Sequence, residues 1–130
     1  ALLMAAAVAD FRARPAKSKI KKSGRGISID LEPTRDILAE VGRDKGDLLL
    51  VGFAAETEGL PERAREKLRS KNLDFIVANE VSADGKGIDS ERNSVLILDR
   101  EGGTVEVPES PKAEVAERIL DRVFGPGARP

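Results

Sequence analysis

Three uninterrupted apolar runs, at residues 2–9, 48–54 and 75–78, constrain what this chain can fold into more than any other feature. Each is too short for a buried helix and lacks the alternation of a strand with one wet face. Each therefore reads as a strand covered on both sides. Between and after them, apolar residues recur three and four apart. Thr34, after Pro33, is placed to cap a helix whose stripe is Ile37, Leu38 and Val41, with Gly42 near its end. Pro61, tolerated in a first helical turn, opens a second helix that runs to about Lys71. Ser110 caps, Pro111 starts and Gly125 stops a third, whose core face is Val115, Ile119, Leu120 and Val123. A period-two strand at 27–31, another strand at 95–98, and a Glu101-Gly102-Gly103 turn into 104–107 complete the pattern. Buried strands alternating with amphipathic helices predict an α/β fold with a largely parallel centre and an antiparallel C-terminal hairpin.

Composition narrows the chemistry. The chain has 130 residues, the size of one domain or a large piece of one, and contains no His and no Cys. That excludes a Ser-His-Asp triad, a thiol nucleophile, a Cys/His zinc site and a disulfide frame. What remains is Lys, Arg, carboxylates, hydroxyls, amides and backbone N–H groups. No apolar stretch approaches the ~20 residues of a bilayer-spanning helix, and the apolar start lacks the basic leader of a signal peptide. The expected setting is the cytoplasm, with no membrane contact.

Charge is unevenly distributed. The net value is −1, yet residues 10–26 carry +6, from Arg12, Arg14, Lys17, Lys19, Lys21, Lys22 and Arg25 against Asp10, and the rest carries −7. A basic run is commonly a solvated loop. This one lies between apolar segments, with Pro15 inside it and Gly24 and Gly26 at its far end, which suits a mobile cationic flap anchored at both ends to a sheet. Such a flap meets an anion: a phosphate, a nucleotide or a nucleic acid.

In parallel sheets ligands bind beyond the carboxyl ends of the strands, here the loops after Ala9, Ala54 and Ala78. Small residues there either admit a ligand close to the backbone or simply pack under a helix. No G-x-x-x-x-G-K-[ST] loop and no G-x-G-x-x-G is present, and Gly24-Arg25-Gly26 and Gly85-Lys86-Gly87 are too short to cradle phosphate. Lysines must then hold any phosphate. Lys67 and Lys71, at i and i+4, project from one helix face; they are either solvated surface charges or, opposite a cationic flap, one wall of a polyphosphate site.

Three ordered segments carry a resemblance over nearly the whole chain. They are Ala5-Ala6-Ala7-Val8-Ala9-Asp10-Phe11-Arg12 with Lys19-Ile20-Lys21-Lys22; Val51-Gly52-Phe53-Ala54-Ala55-Glu56-Thr57; and Lys67 through Lys71-Asn72-Leu73-Asp74 to Val77-Ala78-Asn79-Glu80-Val81. Together they resemble phosphopantothenate–cysteine ligase, the bacterial coenzyme A enzyme often fused behind a flavin-dependent decarboxylase. The resemblance implies a Rossmann-like or ribokinase-like three-layer fold. It implies a ligase that uses CTP to activate the carboxylate of 4'-phosphopantothenate as an acyl-cytidylate, which cysteine's amine then attacks to give phosphopantothenoylcysteine. CMP and diphosphate are the other products. Mg²⁺ would accompany the CTP, and FMN would belong only to the fused decarboxylase, outside this chain.

By position, the resemblance implies that Met4, Ala5, Ala6 and Asp10 line the nucleotide pocket, and that Lys19 is the flap lysine covering the acyl-cytidylate. Arg35, Asp36, Ile37 and Leu38 would hold cytosine through backbone groups, Phe53 would pack against the base, and Lys67 and Lys71 would grip the triphosphate. Asp10 serves either the ribose hydroxyls or the capping of its own loop; Asn79 receives no role. Arg35 stands where relatives often have proline. The family's ligase domain has about as much chain again upstream, so residues 1–124 read as the C-terminal portion of one ligase domain, incomplete for catalysis. Residues 10–26 form its flap and 125–130 a frayed tail. The family implies a homodimer with small-molecule substrates and no nucleic acid. Two other readings stand beside it. One is a nucleic-acid-binding module using the arm 12–25, disfavoured by having four Phe and no Tyr or Trp for base stacking. The other is a subunit-interface module.

Overall fold

The computed structural model of the chain describes residues 1–21, 24, 26–56, 59–80 and 90–126. Lys22, Arg25, Thr57, Val81, Gly85-Lys86-Gly87 and the end of the tail, all invoked above, lie outside the described residues. The described chain divides into two compact units, residues 1–5 with 38–130, and residues 6–37.

The larger unit is built on a five-stranded sheet: β1 (Leu2–Met4), β4 (Leu50–Glu56), β5 (Phe75–Glu80), β6 (Arg92–Asp99) and β7 (Thr104–Pro111), in the order β1-β4-β5-β6-β7. β1, β4 and β5 are parallel, while β6 and β7 run antiparallel as a hairpin. This is the α/β arrangement expected from the sequence.

The sheet separates two apolar layers, because side chains alternate along each strand. On one face Leu50, Ala54, Ile76 and Ala78 pack with Ala64 and Leu68 of α2 (Leu60–Ser70) and Leu38 of α1 (Ile37–Arg43). On the other, Val51, Val77, Val95, Ile97 and Val107 pack with Val115, Ile119 and Val123 of α3 (Lys112–Phe124). Two glycines set how closely the first layer closes. A Cβ on Gly52 would meet Leu73 Cδ1 at 2.7 Å, and one on Gly42 would lie 1.9 Å from the Lys71 carbonyl oxygen. Only a residue without a side chain lets α1 seat on the turn that ends α2. That turn is a Schellman-type stop: Asn72 takes φ 52, the Leu73 N–H donates to Leu68 O and the Asn72 N–H to Arg69 O.

The smaller unit holds a two-stranded ribbon of β2 (Phe11–Ala13) and β3 (Leu31–Pro33), paired as Phe11 to Pro33, Arg12 to Glu32 and Ala13 to Leu31. The expected flap is thus closed at its base by its own ribbon. Beyond it the Arg14 N–H donates to Asp30 O at 3.0 Å.

Several expected boundaries move. The strand at 2–9 ends at Met4, since only Leu2–Met4 find partners, in Leu50 to Gly52; the following alanines are exposed and poor strand formers. The strand at 27–31 keeps only Leu31 and shifts to 31–33, where its partner is. Thr34 does not cap a helix: its hydroxyl donates to Ala9 O and its N–H to Asp10 O, so it closes the ribbon, and α1 starts at Ile37. Ser110 and Pro111 end β7 rather than opening α3. Proline favours an extended residue before it, and Pro111 is itself extended at φ −52, ψ 139, so the helix begins at Lys112, whose N–H donates to Glu91 O.

Candidate functional site

The carboxyl edge of the parallel strands is where the sequence places ligand chemistry, and β4 delivers residues there on both faces. Val51, Phe53 and Ala55 alternate with Gly52, Ala54 and Glu56. Phe53, exposed, stands on the α3 side of β4, and Glu56 on the α2 side. Ala54 and Ala78 are buried in the α2-side core, so at these two edges the small residues pack under a helix. Ala9 is exposed and lies in no strand.

Glu56 is the notable group. It is 7% exposed, and its partners among the described residues come from α2: Lys67 Nζ lies 2.5 Å from Oε1, and Arg63 Nη1 donates to Oε2 at 3.4 Å. Among the described residues no donor meets Oε1 in hydrogen-bond alignment. Burial resists ionisation of this carboxyl, but the Lys67 ammonium and then the Arg63 guanidinium outweigh it and hold its pKa below the ordinary 4.5. Lys67 remains 44% and Arg63 59% exposed. Lys71 follows one helical turn later as the C-cap of α2, half-buried. Side chains on a helix lean toward its N-terminus, so Lys67, the one lysine within α2, leans back toward the carboxyl edge from which the helix starts, whereas Lys71 caps the opposite end, toward the amino edge.

The other residues singled out from the sequence have varied surroundings. Met4 packs against the α2-side core, and the Leu38 side chain is buried within it, which leaves backbone groups for any ligand. Ala5 and Ala6 are exposed. Asp10 is exposed and its carbonyl accepts from Thr34. Arg35 and Asp36 precede α1 and are exposed, as is Ile37 at its first position. In the flap, Arg12 and Arg14 are both paired to Glu32. Lys17, Lys19 and Lys21 are exposed and make no ion pair among the described residues. The ribbon also exposes Phe11 and Leu31, each more than half accessible.

The opposite, amino edge carries a cleft of about 420 Å³ lined by Lys45, Asp74, Phe75, Asp99, Arg100 and Arg122 among others. Five of its charged side chains, Lys45, Asp74, Asp99, Arg100 and Arg122, are paired among themselves. Asp74 Oδ2 accepts from Lys45 Nζ at 2.5 Å and from the Leu50 N–H at 2.8 Å, and Arg100 lies 3.3 Å from Oδ1. Asp99 pairs with Arg122, whose guanidinium sits 5.6 Å above the Phe75 ring centroid. Asn72 donates to Gly42 O and accepts from Arg100. Sequence reasoning singled out neither this network nor Arg63. The i,i+4 spacing of Arg63 to Lys67 was a signal for the latter; nothing local predicts the former.

Among the described residues no group of three or more acidic or thiol ligands could hold a metal ion, and no helix is long and apolar enough to cross a membrane.

The chain has an α/β fold whose parallel carboxyl edge carries a half-exposed lysine and arginine. More specifically, over residues 1–125 the chain matches the family described as DNA/pantothenate metabolism flavoprotein C-terminal domain, and it belongs to that family. It is 42% identical over 123 residues to the coenzyme A biosynthesis bifunctional protein CoaBC of Bacillus subtilis, covering 94% of this chain and 30% of that protein. It is 41% identical over 124 residues to a cysteine/cysteine sulfinic acid decarboxylase of an unknown prokaryotic organism, covering 94% of this chain and 34% of that protein. The crystal structure of the C-terminal domain of CoaBC superposes with a TM-score of 0.70 at 38% identity, covering 93% of this chain and 51% of that one. The chain thus spans about a third of the curated relatives it matches and half of the solved domain.

Proposed function

We propose that this chain is the nucleotide-handling portion of a phosphopantothenate–cysteine ligase acting in coenzyme A biosynthesis, with CTP as its nucleotide. The observation that carries the proposal is the pair Lys67 and Arg63 at the carboxyl edge of β4, half-exposed beside a buried carboxylate, in a chain of this family. Cations aimed out of a parallel sheet at that edge suit a triphosphate.

The reaction asks little acid–base chemistry of the protein. The substrate carboxylate attacks the α-phosphorus of CTP and diphosphate leaves; the cysteine amine then attacks the acyl carbon and CMP leaves. Both steps depend on alignment and on neutralising phosphate charge, which Lys67 and Lys71 provide on this reading. Mg²⁺ bound to the triphosphate would share that neutralisation, its protein ligands being few, as is usual for this ion. Lys19, on a flap whose three described lysines make no ion pair among the described residues, would cover the mixed anhydride and exclude water from it. Phe53 offers an exposed ring for the base, and the backbone around 35–38 would read its edge. The exposed apolar residues of the ribbon, Phe11 and Leu31, suit a contact between two copies of the ligase domain.

Calorimetric titration with CTP and Mg²⁺, against ATP and a short RNA, tests the reading. CTP should bind and ATP should bind at least tenfold more weakly, about what one lost base-edge hydrogen-bond set costs. Equal binding of CTP and ATP sinks the cytidine reading, and RNA binding without CTP binding replaces it with the nucleic-acid module.

A further inference from the structure

We infer that Glu56 is a positioning residue that gathers Lys67 and Arg63 into a two-cation clamp for the polyphosphate chain of a nucleoside triphosphate. The inference rests on the ligase reading of Lys67 and extends it to Glu56 and Arg63.

The geometry comes from strand period and helix period together. Leu50, Gly52 and Ala54 face α2, and Glu56 continues that row at the point where it leaves the apolar core. A carboxylate buried there must be paired. Residues 63 and 67, one turn apart, share a face of α2 and approach its two oxygens from the same helix.

The pairing is asymmetric in exposure. The carboxylate is nine-tenths buried, whereas both cations keep roughly half their surface in solvent. A surface ion pair has both partners wet, and a closed structural pair has both dry. The structure supplies an example of the latter in Lys45 and Asp74, 8% and 19% exposed, with a backbone N–H completing the carboxylate. At Glu56, among the described residues, no backbone N–H completes the carboxylate, and Oε1 has only the Lys67 ammonium beside it, at 2.5 Å and out of hydrogen-bond alignment. The carboxylate therefore fixes the cations without consuming their outward-facing N–H groups, and the charges of Glu56, Lys67 and Arg63 sum to +1. An ammonium and a guanidinium held one helical turn apart can meet successive phosphates of a chain, where a lone nucleoside monophosphate would span the clamp poorly.

Two effects oppose one another in the test, which makes it decisive. Deleting a negative charge beside phosphates should by itself tighten anion binding, whereas loosening a positioned clamp should weaken it. The chain, Glu56→Gln and Arg63→Ala are titrated with inorganic tripolyphosphate, CTP and CMP at fixed Mg²⁺, with melting temperatures recorded. Glu56→Gln should weaken tripolyphosphate and CTP about tenfold and leave CMP unchanged. Arg63→Ala should weaken the same two about threefold, with its melting temperature kept because the residue is exposed. Unchanged or tighter tripolyphosphate binding by Glu56→Gln overturns the clamp, as does failure of the unaltered chain to bind tripolyphosphate. If Glu56→Gln does not fold, Arg63→Ala decides alone, and an unchanged affinity there overturns the inference. Equal binding of CTP and ATP would sink the cytidine reading while leaving the clamp standing, so the two failures are distinct.

Discussion

The two edges of the parallel strands use the same chemistry to opposite ends. Each has a carboxylate withdrawn from solvent and held ionised by cations: Asp74 at the amino edge and Glu56 at the carboxyl edge. At the amino edge the bonds close on themselves. Asp74 takes a backbone N–H and a buried lysine, its own N–H returns to Leu50 O, and Arg100 ties in both Asp74 and Asn72. At the carboxyl edge the bonds end in half-exposed cations. The first arrangement locks strands and turns together; the second leaves charge facing out. In the Asp74–Lys45 pair both side chains are largely dry, whereas at Glu56 only the carboxylate is.

Three substitutions would sharpen or break that contrast. The largest effect belongs to Gly42, whose carbonyl is held by Asn72 near the amino edge. Gly42→Ala drives a Cβ into the Lys71 carbonyl oxygen, a backbone atom with no rotamer to yield. A loss of about 3 kcal/mol or more is expected in urea denaturation, and a loss under 1 kcal/mol would show that α1 can slide.

Asp74→Asn comes next, at about 2–3 kcal/mol, since it strands the buried Lys45. Its pH signature follows from sign. Burial opposes ionisation of Asp74, but Lys45, the Leu50 N–H and Arg100 outweigh it and hold its pKa below the ordinary 3.8. A depressed pKa contributes stability that is full above the unfolded value and is lost as pH falls through the folded one. The chain should therefore lose stability in acid, with Glu56 adding to the loss below its ordinary 4.5. Asp74→Asn should flatten that acid limb, and an unchanged slope in denaturation at pH 5 against pH 3 would deny the amino edge its role. The smallest effect on folding is Lys19→Ala, in the flap: stability should stay within about 0.5 kcal/mol. On the proposed ligase reading, turnover of the full-length protein carrying it should collapse, and equal loss of both would make this segment a packed element.

Legibility followed the range of the interaction. The amphipathic face of α3 and the stop at Gly125 are written locally; Val115, Ile119 and Val123 are buried as read and the helix ends at Phe124, while Leu120 is only partly buried. The Glu101-Gly102-Gly103 turn is equally local, and the hairpin follows it. Apolar runs gave the strands but not their lengths, because a strand ends where its partner ends: β1 stops at Met4 although the apolar run goes on to Ala9. Thr34 and Ser110 failed as caps for the same reason, each being claimed by a distant strand pairing first. At the candidate site, Lys67 was recognisable in the sequence, but its partner Glu56 was only a letter in a motif.

Residue type and spacing, then, determined the α/β class, the family and the cationic character of the flap and of α2, since these depend on side-chain chemistry and on helical and strand periods. Tertiary structure alone decided which charges are spent and which remain on offer. Burial and pairing join residues such as Asp74 and Lys45, 29 positions apart, and no local rule sees across that distance. The period of β4 and the period of α2 meet at Glu56 only once the helix has packed on the sheet.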